Sequence, residues 1–290
     1  VGKHVVPSVA DESRTFGMEG MFRSLGIWSS VGQNYTPQDH GELMFYKESK
    51  DGQILQEGIT ESGAMASWIA AATSYSTHGV QMLPFYIYYS MFGFQRVGDS
   101  AWQAGDMRAR GFMLGATAGR TTLNGEGLQH EDGQSQVQAS FIPNVRSYDP
   151  TFAFEVVTIV QRGMQRMLAE QQDEYWYLTL MNENYVHPDM PEGSAEGIIK
   201  GMYLLKDAGK GKKGELRVQL MGSGTILREV IAAADLLDAD FGIKADVWSC
   251  PSFNELARDG VDAERWNRLH PEAKAPRKPW VTQQLEGRSG

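Results

Sequence analysis

From Ser62 to Gln95 the chain runs for 34 residues without an Asp, Glu, Lys or Arg. A charged fraction of 22% would place about seven there. Such a stretch has to be removed from water, by lipid or by protein. Lipid is excluded, because Ser67, Thr73, Ser74, Ser76, Thr77, His78, Gln81 and Pro84 interrupt the window and leave no apolar run of about 18 residues. The window is therefore expected inside a protein core, and 290 residues suffice for about two domains with sizeable cores. A hydrophobic fraction of 41% excludes disordered, collagenous and fibrous classes.

Charge and ligand-forming residues narrow the function classes further. With 27 Lys and Arg against 36 Asp and Glu, the net charge is -9. The longest basic cluster is the Lys210-Gly211-Lys212-Lys213 loop, which reads as a solvated turn, so no nucleic-acid footprint is present. A lone cysteine, Cys250, forms no internal disulfide and no zinc site, which points to a reducing, cytoplasmic compartment. The six histidines are scattered without metal-ligand spacing, and no signal peptide is expected. The ends, Val1-Gly2-Lys3 and Arg288-Ser289-Gly290, read as cut from something longer.

Periodicity organises the chain into alternating strands and helices. Gln53 to Ile59 reads as a strand. Ala64, Trp68, Ala71, Ala72 and Tyr75 then recur at helical spacing until Gly79. Leu83 to Tyr89 reads as a buried strand, Ser90 to Arg108 as a helix, and Phe112 to Ala116 and Ile142 to Ser147 as strands. Asp149-Pro150 predicts a helix start whose apolar face carries Phe152, Val156, Val157, Val160, Met164, Met167 and Leu168, followed by a strand over Glu174 to Met181. This alternation predicts an α/β domain with a mostly parallel sheet flanked by helices over 1–185. Pro- and Gly-rich residues 186–213, around a short strand from Met202 to Lys206, read as a linker. A second, partial α/β domain over 214–290 then begins with strand Glu215 to Met221, a Gly222-Ser223-Gly224 turn, a helix ending before Gly242, and strand Lys244 to Cys250.

Three places invite a chemical reading. Gly222-Ser223-Gly224-Thr225 resembles a dinucleotide loop but has Leu227 where the third glycine belongs, so a tight strand-to-helix turn is the better reading. No nucleophile elbow and no phosphate loop of the Walker type occurs. In Leu123-Asn124-Gly125-Glu126-Gly127-Leu128-Gln129-His130-Glu131-Asp132-Gly133, three acids and a histidine stand among three glycines; the segment is either a solvated loop or an imidazole placed among carboxylates for acid, base or donor work. Glu61 is the last charge before the uncharged window. It is either a helix N-terminal acid favoured by the macrodipole or a carboxyl set in an apolar wall that shares a proton with a bound heterocycle.

Ile59-Thr60-Glu61 before a helix of small residues, the run from Phe85 to Arg96 (FYIYYSMFGFQR), and Thr121 to Gly133 (TTLNGEGLQHEDG) resemble the homodimeric, bacterial-type pyruvate dehydrogenase family. This family is the thiamine diphosphate-dependent first component of the pyruvate dehydrogenase complex. The resemblance extends through Arg14 to Gly20 and Asn182 to Tyr185. It implies a transketolase-like, thiamine diphosphate-binding fold, with a pyrimidine-binding domain followed by the start of a transketolase-type C-terminal domain. It also implies that Glu61 hydrogen-bonds the aminopyrimidine and favours its imino tautomer, that Phe92 stacks on that ring, and that Ile59 lies near the cofactor. Substrate and intermediate contacts would fall to Tyr89, His130, Glu126, Asp11 and Glu12. Pyruvate would be decarboxylated through a thiamine diphosphate enamine, which reductively acetylates the lipoyl group of dihydrolipoyl acetyltransferase.

The family holds Mg2+ and the diphosphate on a separate N-terminal domain through a GDG-to-N motif, and no such motif occurs in these residues. The chain alone is therefore expected not to hold the cofactor firmly. Because the two halves of the family's cofactor site come from different subunits, the wall containing Glu61 is also expected to face the second subunit of a homodimer. Transketolase, another thiamine diphosphate-dependent 2-oxo acid enzyme, and a non-enzymatic α/β binding module are the competing readings. Transketolases share the architecture and the glutamate without the LNGEGLQHEDG segment.

Overall fold

A computed structural model of the chain describes residues 2–116, 118, 127–181, 183–209, 211 and 214–290. Glu126, Asn182, Lys210, Lys212 and Lys213 lie outside the described residues, as does the Thr121 to Asn124 part of the glycine-rich segment. The strands in chain order are β1 (Val5–Val9), β2 (Ile27–Trp28), β3 (Glu48–Ser49), β4 (Leu55–Gln56), β5 (Leu83–Tyr89), β6 (Phe112–Ala116), β7 (Val145–Tyr148), β8 (Tyr175–Thr179), β9 (Tyr203–Lys206), β10 (Arg217–Gly222) and β11 (Lys244–Ser249). The α-helices are α1 (Glu61–Ala72), α2 (Ser74–Thr77), α3 (Phe94–Asp106), α4 (Ser135–Ala139), α5 (Ala153–Met164), α6 (Ala195–Lys200), α7 (Gly224–Phe241), α8 (Phe253–Leu269) and α9 (Trp280–Leu285). Two compact units result: the first takes the described residues of Val1–Ala118, Leu123–Val145 and Gln165–Asn182, the second those of Arg146–Met164 and Glu183–Gly290.

In the first unit β4-β1-β5-β6-β8 lie side by side, every pair parallel. β5 sits at the centre, paired to β1 from Val5↔Leu83 to Val9↔Ile87 and to β6 from Phe85↔Phe112 to Tyr89↔Ala116. A central parallel strand is covered on both faces, which is why its sequence is a continuous apolar and aromatic run rather than an alternating one. Helix α1 begins at Thr60, whose side chain accepts from the Gly63 N–H at 3.2 Å. It buries Ala64, Met65, Trp68, Ile69, Ala71 and Ala72, and the Trp68 indole N–H donates to the Phe112 carbonyl at 3.0 Å.

The charge-free window thus supplies much of one core, Tyr86, Tyr88 and Phe94 included. It is not buried throughout: Ser76 to Val80 are exposed over the end of α2 and the start of the turn before β5, where Ser76, Thr77 and His78 need no formal charge to stay solvated. The expected Ser90 to Arg108 helix is also interrupted. Ser90–Phe92 form one 3-10 turn, and Gly93 (φ −75°, ψ −102°) breaks the path before α3. A Cβ on Gly93 would lie 2.1 Å from Cε2 of Tyr88, so the tyrosine ring packs against bare backbone there.

The second unit holds a three-stranded sheet in the order β10-β11-β9, with β10 and β11 parallel and β9 antiparallel. The Gly222-Ser223-Gly224 segment is the tight strand-to-helix turn expected of it. A Cβ on Gly222 would meet the Leu227 Cα at 2.7 Å, and one on Gly224 (φ +50°) would meet Asp149 Oδ1 at 2.4 Å.

Asp149-Pro150 does not start the next helix. The Asp149 carboxylate instead accepts from the Ser223 hydroxyl at 2.8 Å, and α5 begins at Ala153. The Glu155 carboxylate takes over at the N-terminus, accepting from the N–H groups of Thr151 at 2.6 Å and Phe152 at 2.9 Å. The inward face of α5 is rotated accordingly. Glu155, Ile159 and Gly163 are buried, whereas Val157 is 64% exposed. A pattern search on apolar residues cannot anticipate a stripe whose first member is a glutamate. Helices α8 and α9 also escape the periodicity reading; α8 is capped by Ser252, whose hydroxyl oxygen accepts from the Glu255 N–H at 2.9 Å.

Candidate active site

Of the residues singled out by chemistry, Asp11, Glu12, Ile59, Glu61, Tyr89 and Phe92 follow the carboxyl ends of the parallel strands of the first unit. β1 leads into Asp11 and Glu12, β4 leads through Ile59 to Glu61, and β5 ends at Tyr89 and turns through Phe92. Open parallel sheets bind ligands at this edge, because the loops there diverge and the backbone dipoles of the following helices point at it.

Glu61 is the first residue of α1, and its side chain is 16% exposed. Its Oε1 accepts from Nη1 of Arg96 at 2.9 Å. The Arg96 guanidinium in turn lies 4.0 Å from the centroid of the Phe92 ring. Below Glu61, the Tyr86 hydroxyl donates to the Glu61 carbonyl at 3.3 Å, which ties the helix start to the central strand. Burial, with the Glu61 carboxylate adding to it, pushes the Tyr86 phenol above its ordinary value and keeps it a donor.

Phe92 continues the line of contacts. Its ring stands 5.2 Å from the His130 imidazole, and Tyr89 stands 4.7 Å from the same imidazole and 6.0 Å from Phe92. Phe16, on the loop that follows Asp11 and Glu12, packs edge-on against Tyr89 at 5.1 Å. Glu61, Phe92, Tyr89 and His130 therefore form one contiguous wall. Ile59 is 82% exposed two residues before Glu61.

Asp11 and Glu12 are linked to this wall through the loop that carries Phe16. Glu12 adopts φ 89°, a left-handed conformation that is strained for a glutamate. It is held by its neighbours: Asp11 Oδ1 accepts from the Glu12 N–H at 3.0 Å, and Glu12 Oε2 accepts from the Thr15 hydroxyl at 3.0 Å. Ser13, next along the chain, is buried and donates to Gln56 Oε1 at 2.9 Å on β4. Strain retained by surrounding bonds at a sheet edge is the kind of backbone found at binding sites.

Three contributors carried no chemical role in the sequence reading. Phe16 and Arg96 lie inside quoted segments, but nothing in a linear pattern says that they meet Tyr89 and Glu61. Asp132 looked like one more acid of the glycine-rich segment. It is 1% exposed, and its Oδ1 accepts from the N–H groups of Gln134 at 3.0 Å and Ser135 at 2.9 Å. Among the described residues no group of three or more His, Cys, Asp or Glu converges to hold a metal ion. Nor is any helix among them long and apolar enough to cross a membrane.

Residues 1–188 match the family model described as pyruvate dehydrogenase E1 component middle domain, and residues 201–289 match the transketolase-like C-terminal domain. The whole chain is 64% identical to the pyruvate dehydrogenase E1 component of Cupriavidus necator and 65% identical to that of Pseudomonas aeruginosa, spanning 32% of each. Over 96% of its length it is 60% identical to the Escherichia coli K12 protein of the same name, of which it covers 31%. The chain thus spans about a third of the length of these relatives. Among solved structures, a transketolase mutant from Pichia stipitis superposes with a TM-score of 0.61 over 92% of this chain and 34% of that one, at 16% identity. That likeness establishes a transketolase-like α/β fold.

Proposed function

Because the chain belongs to the pyruvate dehydrogenase E1 component family, we propose that it forms the aminopyrimidine side of the active site of a cytoplasmic, thiamine diphosphate-dependent, acetyl-transferring pyruvate dehydrogenase. Residues 1–185 would be the pyrimidine-binding domain, 186–213 a linker and 214–290 the start of the C-terminal domain. The observation that carries the reading is the Arg96 guanidinium, stacked 4.0 Å from the Phe92 ring centroid while donating to Glu61 at 2.9 Å. A flat group bearing N–H donors fits between that aromatic face and that carboxylate, which is the chemistry of an aminopyrimidine. Arg96 is 49% exposed and is free to withdraw into water when such a ring enters.

When bound, thiamine diphosphate would supply the electron sink that loss of CO2 from a 2-oxo acid requires. The chain's own residues would do the rest. Glu61 would share a proton with the pyrimidine ring nitrogen and so bias its tautomer, while Phe92 stacks on the ring and, with Phe16 and Tyr89, keeps water away. Tyr89 and His130 would donate to the carboxylate and developing oxyanion of pyruvate. Asp11, Glu12 and Glu126 would line the substrate side, and Ile59 the cofactor side. Among the described residues no three His, Cys, Asp or Glu side chains converge on a metal position. A homodimeric partner subunit and the lipoyl domain of dihydrolipoyl acetyltransferase would complete the site and accept the acetyl group.

The test uses the complete enzyme. A thermal shift induced by thiamine diphosphate, together with pyruvate decarboxylation, is measured for wild type, Glu61→Ala and Phe92→Ala. The reading expects decarboxylation to be lost in Glu61→Ala with the fold intact, and the cofactor-induced shift to shrink in Phe92→Ala. Full activity in Glu61→Ala would refute it.

A further inference from the structure

We propose that Tyr177, Ser135 and Asp132 form a hydrogen-bonded strut that positions His130 against Tyr89 and Phe92, an assignment that rests on the pyruvate dehydrogenase reading of His130. The imidazole needs such a support. His130 ends a single 3-10 turn, Leu128–His130, in which no residue is buried; Leu128 is 79% exposed. One such turn contributes too little packing to hold a side chain in one place.

The first buried residue beyond it is Asp132, whose carboxylate collects the local donors. Besides the N–H groups of Gln134 and Ser135 on Oδ1, its Oδ2 accepts from the Ser135 hydroxyl. The Ser135 oxygen accepts in turn from the Tyr177 hydroxyl at 2.8 Å. Tyr177 is fully buried on β8, its ring parallel to Tyr88 at 6.4 Å and edge-on to Phe94 at 5.0 Å. Its hydroxyl passes over β6 at Gly115, where a Cβ would lie only 2.5 Å from that oxygen. Gln134 adds a second tie, donating through Nε2 to Met91 Sδ at 3.3 Å beside Phe92.

A rigid tyrosine on one strand is thus connected, over a glycine on its neighbour, to the residue two places after His130. The opposite side of the imidazole is bounded by Tyr89 and Phe92 from β5 and its following turn. The donor is therefore fixed from two strands of one sheet, whereas its own turn is exposed. Placement errors of about 1 Å at a reacting centre cost up to about 100-fold in rate, so removal of the strut should appear in turnover before it appears in the fold.

The experiment is a mutant cycle in the complete enzyme, reading kcat, KM for pyruvate and Tm. Tyr177→Phe keeps the ring and removes one hydroxyl. Asp132→Asn keeps an oxygen for the two N–H groups but offers an amide to Ser135, and serves as a second probe of the strut. The expected result is a fall of about 10-fold in kcat/KM for Tyr177→Phe, a comparable fall for Asp132→Asn, and no further fall when Tyr177→Phe is added to His130→Gln. A fall of equal size in the His130→Gln background, or full activity of Tyr177→Phe, would overturn the strut. A fully active His130→Gln enzyme would overturn the reading of His130 and the strut with it.

Discussion

Two glutamates near helix N-termini, one in each unit, differ in how fully their acceptor oxygens are used. Glu155 is 0% exposed and has every lone pair engaged: Thr151 and Phe152 N–H groups on Oε2, and the hydroxyls of Tyr203 at 2.7 Å and Ser249 at 2.6 Å on Oε1. It joins α5 to the ends of two strands and has no capacity left for a ligand. Glu61 faces an edge, and among the described residues one half-exposed arginine bonds its carboxylate. Both would pass as macrodipole acids in a linear reading. Saturation of the acceptor, rather than its position on the helix, distinguishes them.

Exchanging the two phenotypes would break that comparison. Glu61→Ala in the complete enzyme should lower decarboxylation by about 10²–10⁴-fold while changing stability by less than about 1 kcal/mol, because a half-exposed ion pair contributes little. Steady-state kinetics and urea unfolding read the two sides. Glu155→Ala should behave inversely, costing about 3 kcal/mol by leaving four buried donors without their acceptor, seen as a lower urea midpoint.

A third carboxylate, Asp246, sharpens the contrast because it is buried yet charged. Burial alone would raise its pKa, but the Ala208 N–H, Gln219 and Arg288 outweigh burial and hold it below the ordinary carboxylate value. A lowered folded-state pKa stabilises fully above the unfolded value of about 3.9 and fades as pH falls through the folded one. Unfolding measured between about pH 5 and pH 2 should show this loss, and Arg288→Ala should make it smaller. The smallest effect concerns Cys250. Burial, with the Glu155 carboxylate adding to it, pushes this thiol up to about 12. It should resist alkylation at neutral pH until the protein unfolds, as a labelling time course under native and denaturing conditions would reveal.

Much of the first unit was legible because its elements obey strong periodic rules. Leu83–Tyr89 and Phe112–Ala116 emerge with their predicted bounds, since buried parallel strands leave continuous apolar runs between turn residues. The helix from Glu61 was readable from its small residues, but it ends at Ala72 and a separate α2 over Ser74–Thr77 follows, so the single helix expected up to Gly79 is broken at Thr73. Errors arose where a polar residue takes a structural place. Asp149 binds Ser223 instead of capping α5, and Glu155 begins the buried face of that helix, so the apolar stripe was read out of phase. At the site, Glu61, Tyr89, Phe92 and His130 were named from the segments that carry the family resemblance, and they stand together. Phe16, Arg96 and Asp132 were not assigned: Phe16 and Arg96 meet Tyr89 and Glu61 far along the chain, and Asp132 bonds its neighbours Gln134 and Ser135, reaching distant Tyr177 through the Ser135 hydroxyl.

What the sequence alone determined is the class of object: an α/β chain with an uncharged core stretch, closed by Glu61 at one end and Arg96 at the other. Composition and periodicity encode burial and element type, which are local properties. Only the tertiary structure decided that those two bounding charges bond each other across the Phe92 ring, that the exposed turn of His130 abuts Tyr89, and that Glu155 is saturated while Glu61 is not. Each of these depends on side chains from different parts of the chain meeting, which strand order and packing set and no local pattern encodes.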